Sequence, residues 1–176
     1  MGRQIGSSRI SLVADLGGPR VASQWIASGQ ELTISIAVSG REAHDVAMEL
    51  LLCLGQALWH KLHPGQLKAY WLLLDAEFLA GTGGEIDEDA LREKRALLGG
   101  RFSATSSRRL ERYGCASFAG TAAEYVHSLW HAVEVVTGPE HLPAKQFRRR
   151  LELLQAWFPP DRGYKLYPAP ETAGGA

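Results

Sequence analysis

At 176 residues, with 45% hydrophobic and 22% charged side chains, the chain has the length of one domain and a composition able to build one substantial core. Lys plus Arg equals Asp plus Glu, so the formal net charge is zero. That excludes a general nucleic-acid binder, which needs a basic excess to displace phosphate counterions.

The expected elements run as follows. Arg9–Leu16 alternates and is β-branched enough for a strand, ended by Gly17-Gly18-Pro19; Val21–Ala27 fits either a short strand or a turn of helix. Glu31–Val38 is the clearest strand, with Leu32, Ile34, Ile36 and Val38 on one face. Helical periodicity begins after Ser39-Gly40. Glu42 to about Leu62 forms one long helix, stopped by His63-Pro64-Gly65. Gln66–Leu79, Ile86–Leu98, Ala116–Val136 and Leu142–Phe158 follow as helices, with Arg101–Gly114 a loop holding a short helix. The expected fold is therefore α+β and helix-dominated, a small N-terminal sheet followed by about five helices. Residues 1–166 form one domain and 167–176, rich in proline and small residues, a disordered tail.

No apolar run approaches the roughly 20 residues that span a bilayer, and Met1–Ser7 offers no signal core. Cys53 and Cys115 lack paired-ligand spacing. Together these features point to a cytoplasmic protein without membrane or nucleic-acid partners. The acidic cluster Glu85, Asp87, Glu88 and Asp89 and the basic clusters Arg108, Arg109, Arg112 and Lys145, Arg148, Arg149, Arg150 are expected on solvated faces and loops. Trp157-Phe158-Pro159-Pro160, with Tyr164 and Tyr167, has the composition of a C-terminal segment laid over the body by aromatic anchors.

Two segments carry a family resemblance. Glu49–Trp59 holds the frame L-L-x-x-L-G-x-A-L, and Ser117–Val126 reads S-F-A-G-T-A-A-E-Y-V. The first is similar to the L-L-H-E-L-G-H-A-L helix of gluzincin-type metallopeptidases, whose histidines bind zinc while the glutamate activates a water. The second is similar to the helix D-F-A-E-T-F-A-E-Y-V, whose first glutamate is the third zinc ligand in that family. On this resemblance Leu52 and Gln56 stand at the histidine positions, Cys53 at the catalytic glutamate and Gly120 at the third ligand. Such a zincin-like domain is expected to hold no zinc and to lack peptidase activity, because leucine and glycine offer no donor and no carboxylate stands at position 53. Leu52 and Gln56 are then expected to face Gly120 across a cleft beside the sheet.

Two further patterns remain. Glu49, Cys53, Gln56 and His60 form one polar stripe along their helix. His60 is seven residues from Cys53, about 10 Å along the axis, too far for proton transfer to a thiol nucleophile. Glu124, His127 and His131 share a helix face at metal-ligand spacing. The expectation from the sequence is a non-catalytic pseudo-peptidase without a cofactor. It binds a peptide, a protein partner or itself through a cleft lined by Glu49, Gln56, His60 and Glu124. The alternatives are a metal-binding protein or enzyme using Glu124, His127 and His131, and a helical interaction protein unrelated to zincins.

Overall fold

The computed structural model describes residues 7–17, 22–29, 31–99, 106–130 and 138–161. Three strands come first, β1 (Ser7–Val13), β2 (Ser23–Ser28) and β3 (Glu31–Ala37), in the order β1-β3-β2. Five helices follow: α1 (Ala43–Trp59), α2 (Pro64–Leu79), α3 (Glu88–Leu98), α4 (Ser106–His127) and α5 (Ala144–Trp157). The architecture is α+β and helix-dominated.

β2 and β3 form an antiparallel hairpin that turns at Gly29, whose φ of 60° is left-handed and costs glycine no β-carbon clash. β1 runs parallel to β3, with Ile10 opposite Ile34 and Leu12 opposite Ile36. The ambiguous stretch before the hairpin is thus a strand from Ser23 onward, and β2 is an edge of the sheet among the described residues.

The strict alternation in β3 sends Leu32, Ile34 and Ile36 to a buried face, and α1 covers that face with Cys53, Ala57, Val46, Leu50 and Leu54. The same helix turns Leu58 and Trp59 the other way, into the core shared by Tyr70, Leu74, Phe118, Leu151 and Leu154. Each of these buried side chains contributes roughly 1.5–3 kcal/mol of apolar transfer. Trp157 and Phe158 do pack at the end of α5, where the Tyr125 hydroxyl donates to the Phe158 carbonyl at 2.5 Å. Tyr164, Tyr167 and the 167–176 tail lie outside the described residues.

Two boundaries differ from the sequence expectation. Pro64 begins α2 rather than merely stopping α1: it sits in the first turn, where its missing N–H is no loss, and the Gln66 side chain accepts from the His63 backbone N–H at 2.9 Å. Helix α4 starts at Ser106, ten residues before the expected Ala116, and ends at His127, while residues 131–136 of the expected helix lie outside the described residues. Ser106–Arg112 contains one apolar residue, Leu110, so periodicity carries no signal there. Tertiary contact holds this turn instead: Glu111 accepts from the Trp59 indole at 2.7 Å, and Arg112 pairs with Glu93 of α3 at 3.3 Å.

The charged clusters are not all solvated. Glu85 is 1% exposed and Arg150 fully buried, because a parallel bridge between Glu85 and His141 draws the α2–α3 loop into the interior. Arg150 grips Glu77 through Nε–Oε1 (3.1 Å) and Nη2–Oε2 (2.5 Å), and Glu85 through Nη1–Oε2 (2.8 Å). Glu85 also receives Lys94 at 3.1 Å and the Tyr113 hydroxyl at 2.6 Å. Two cations and two carboxylates balance, and the hydrogen bonds satisfy them, which is the condition for tolerating buried charge. Burial pushes the Glu85 carboxyl upward, but Arg150, Lys94 and Tyr113 outweigh it and hold the group at about 2. Four elements (α2, α3, α4 and α5) meet at this cluster.

Candidate functional site

Gly55 of α1 lies directly against the backbone of Ala119 on α4. A β-carbon there would lie 2.7 Å from the Ala119 Cα, so only glycine lets the helices meet at this depth. Leu52, three residues before Gly55, and Gln56, directly after it, share a cavity wall with Ala116 and Ala119 of α4. Between them and β2 opens a cavity of about 340 Å³. Its sheet wall is Ser23 and Trp25, and Glu49, Asp87 and Asp89 also line it.

Edge strand β2 is pinned to α1 by two side-chain bonds. Ser23 Oγ donates to Glu49 Oε2 at 2.9 Å, and Trp25 Nε1 donates to Gln56 Oε1 at 2.8 Å. The Trp25 ring also lies 5.9 Å from that of His60. The polar stripe read from the sequence is therefore the face that α1 turns toward β2. Its fourth member, Cys53, is 2% exposed against the sheet, and burial pushes its thiol up. That is the state of a small core side chain, not of a thiolate nucleophile.

Of the expected cleft residues, Glu49 and Gln56 line the cavity, whereas His60 caps the end of α1 and Glu124 lies elsewhere on α4. Glu124 pairs with His127 Nδ1 at 3.2 Å, and His44 of α1 brings its ring to 5.4 Å from that of His127. His131, third in that series, lies outside the described residues. Among the described residues no three His, Cys, Asp or Glu side chains are arranged to hold a metal ion.

Gly120 is not among the residues that line the cavity, so Leu52 and Gln56 do not meet it there as expected; Asp87, which the sequence pattern did not connect with it, lies against it instead. A β-carbon at position 120 would overlap Asp87 Oδ2, so the missing side chain leaves the space that the Asp87 carboxyl fills. Asp87 is the N-cap of α3, its Oδ1 accepting from the Ala90 N–H at 2.9 Å, while Oδ2 is buried and meets no donor among the described residues. Burial raises this carboxyl to about 6 against the pull of the Ala90 N–H, with Asp89 and Glu85 raising it further.

The donor set of a zinc peptidase does not fit here. Leu52 and Gly120 have no donor, the Cys53 thiol is buried in the sheet–helix core, and the Gln56 oxygen is taken by Trp25. What the arrangement offers is an amphipathic groove beside an open strand edge. Sequence reasoning missed Ser23, Trp25, Asp87 and Asp89 as lining. Only the N-cap signal of Asp87 before Glu88-Asp89-Ala90-Leu91 was there to place one of them. No helix among the described residues is long and apolar enough to cross a membrane. No protein-family model matches the chain, and comparison with curated proteins and with solved structures finds no similar protein.

Proposed function

We propose that the chain is a non-catalytic, zincin-like binding protein of the cytoplasm, which receives an extended segment of a peptide or protein partner along β2, over the groove between that strand, α1 and α4. The observation that carries this reading is the placement of Leu52 and Gln56 on a cavity beside an edge strand, with Gly120 behind Asp87 on the α4 side. An edge strand presents unpaired N–H and C=O groups, and a partner strand gains affinity by pairing with them while alternate side chains drop into an adjoining pocket. Ile26, 65% exposed on β2, adds apolar surface at that edge.

The zincin relationship rests on the two sequence motifs. Loss of peptidase function rests on the side chains at positions 52, 53, 56 and 120, which supply neither a ligand set nor a base. Panning a random octapeptide library on the full chain tests the binding role. Enriched peptides are expected to lose tenfold or more in affinity to Leu52→Trp, which fills the groove, with the urea midpoint unchanged. Peptides that bind this variant as well as the parent would place recognition elsewhere and overturn the reading.

A further inference from the structure

We infer that the edge of β1 is where two copies of this chain meet, pairing antiparallel about Ser11 so that their sheets join into one. The docking proposed above uses the opposite edge, so neither claim depends on the other.

β1 is the second edge of the sheet among the described residues, across β3 from β2. Its Ile10 and Leu12 stand opposite Ile34 and Ile36, on the face that α1 covers. Yet α1 packs over β3 and β2, and leaves Ile10 48% and Leu12 62% exposed. The usual devices that blunt an edge are missing. β1 has no proline, its register with β3 runs without a bulge, and its one charge, Arg9, lies on the face away from α1.

The backbone of β1 is set for a further strand. The Val13 carbonyl accepts from the Val38 N–H of the β3 side at 2.9 Å. Bonding direction alternates along a strand, so Ser8, Ile10 and Leu12 aim their N–H and C=O groups at the outer edge.

The order of side chains selects a second copy as that strand. Antiparallel pairing with Ser11 opposite Ser11 sets Ile10 against Leu12 twice, both pairs on the helix face. It also brings Arg9 of each copy diagonally toward Asp15 of the other, two residues past the end of β1. Sliding the register by two residues loses this match in either direction. One shift puts Leu12 against Ser8 and the two Arg9 side chains diagonal to each other; the other runs the pairing beyond Val13. A two-fold axis closes the pair, whereas β1 laid on the β2 edge of the next copy would build an open chain. With a formal net charge of zero, no overall repulsion opposes the association.

Sedimentation equilibrium of the full chain over a dilution series is the test. A monomer–dimer equilibrium is expected, weakened at least tenfold by Leu12→Lys, with the urea midpoint at the dilute end of the series unchanged. Under mild oxidation Ser11→Cys should yield a covalent dimer joined through position 11, identified by peptide mapping. A parent chain that stays monomeric throughout would overturn the proposal, as would a mass that climbs beyond the dimer. So would a dimer that is indifferent to Leu12→Lys and does not cross-link through position 11.

Discussion

Asp87 and Gly120 share one space: the carboxyl that caps α3 lies where a side chain on α4 would otherwise project. The relationship ties Gly120 of α4 to a second element, and it makes the glycine a packing requirement. Gly120→Ala should therefore destabilise the fold by about 1–3 kcal/mol, the usual cost of overpacking. Asp87→Ala alone should cost about 1 kcal/mol for the lost cap. Urea melts of both variants and of the double variant check the relationship. The alanine at 120 should cost clearly less in the Asp87→Ala background, whereas strict additivity would mean that the two residues do not meet.

Asp87 also sets a pH dependence. Its folded-state value of about 6 lies above the ordinary 3.8, so the fold favours the protonated form. The resulting stabilisation is fully present below pH 3.8 and is lost as pH rises through about 6. Asp87→Asn, which keeps a capping oxygen, should flatten the fall in stability between pH 4 and 6.5 in denaturation measured across that window. A fall as steep as in the parent would assign it to another group.

The buried Glu85 behaves oppositely. With its folded value at about 2 against an ordinary 4.5, its contribution is present above pH 4.5 and disappears as pH falls toward 2. Removing its main partner by Arg150→Met strands Glu77 and Glu85 in the core, leaving Lys94 as the remaining cation on Glu85. The expected loss is about 3–5 kcal/mol in urea denaturation. Arg150→Lys should recover little, because a single ammonium cannot reproduce the paired contacts to two carboxylates.

Trp25 and Gln56 form the clasp between β2 and the motif helix. Gln56→Leu leaves the indole N–H unpaired, and faster hydrogen exchange at Ser23–Ser28 with little change in global unfolding is the expected signature. Unchanged exchange in β2 would show that the strand is held by its pairing with β3 alone.

Elements with strong local signals were legible in the sequence. The alternation of Glu31–Ala37 and the apolar faces of α1, α2, α3 and α5 gave strands and helices within a few residues of their positions. The start of α4 was not, because its first turns are held by Trp59–Glu111 and Arg112–Glu93, contacts between residues far apart in sequence. Charge was misplaced for the same reason: Arg150 reads as one of a run of surface arginines, and its burial becomes visible only when Glu77 and Glu85 are brought to it. Of the groove, the α1 side was readable as the stripe Glu49, Gln56. The β2 side and Asp87 required the fold, since neither strand register nor the approach of α3 to α4 is written locally.

The measurement that bears most directly on the groove is amide hydrogen exchange of the full chain with and without a saturating selected peptide. Protection concentrated at Ser23–Ser28, with smaller effects at Leu52–Gln56 and Ala116–Gly120, is expected for a strand laid along β2. Protection confined to other surfaces, such as the Tyr125–Phe158 end of the helical core, with β2 unchanged, would contradict it.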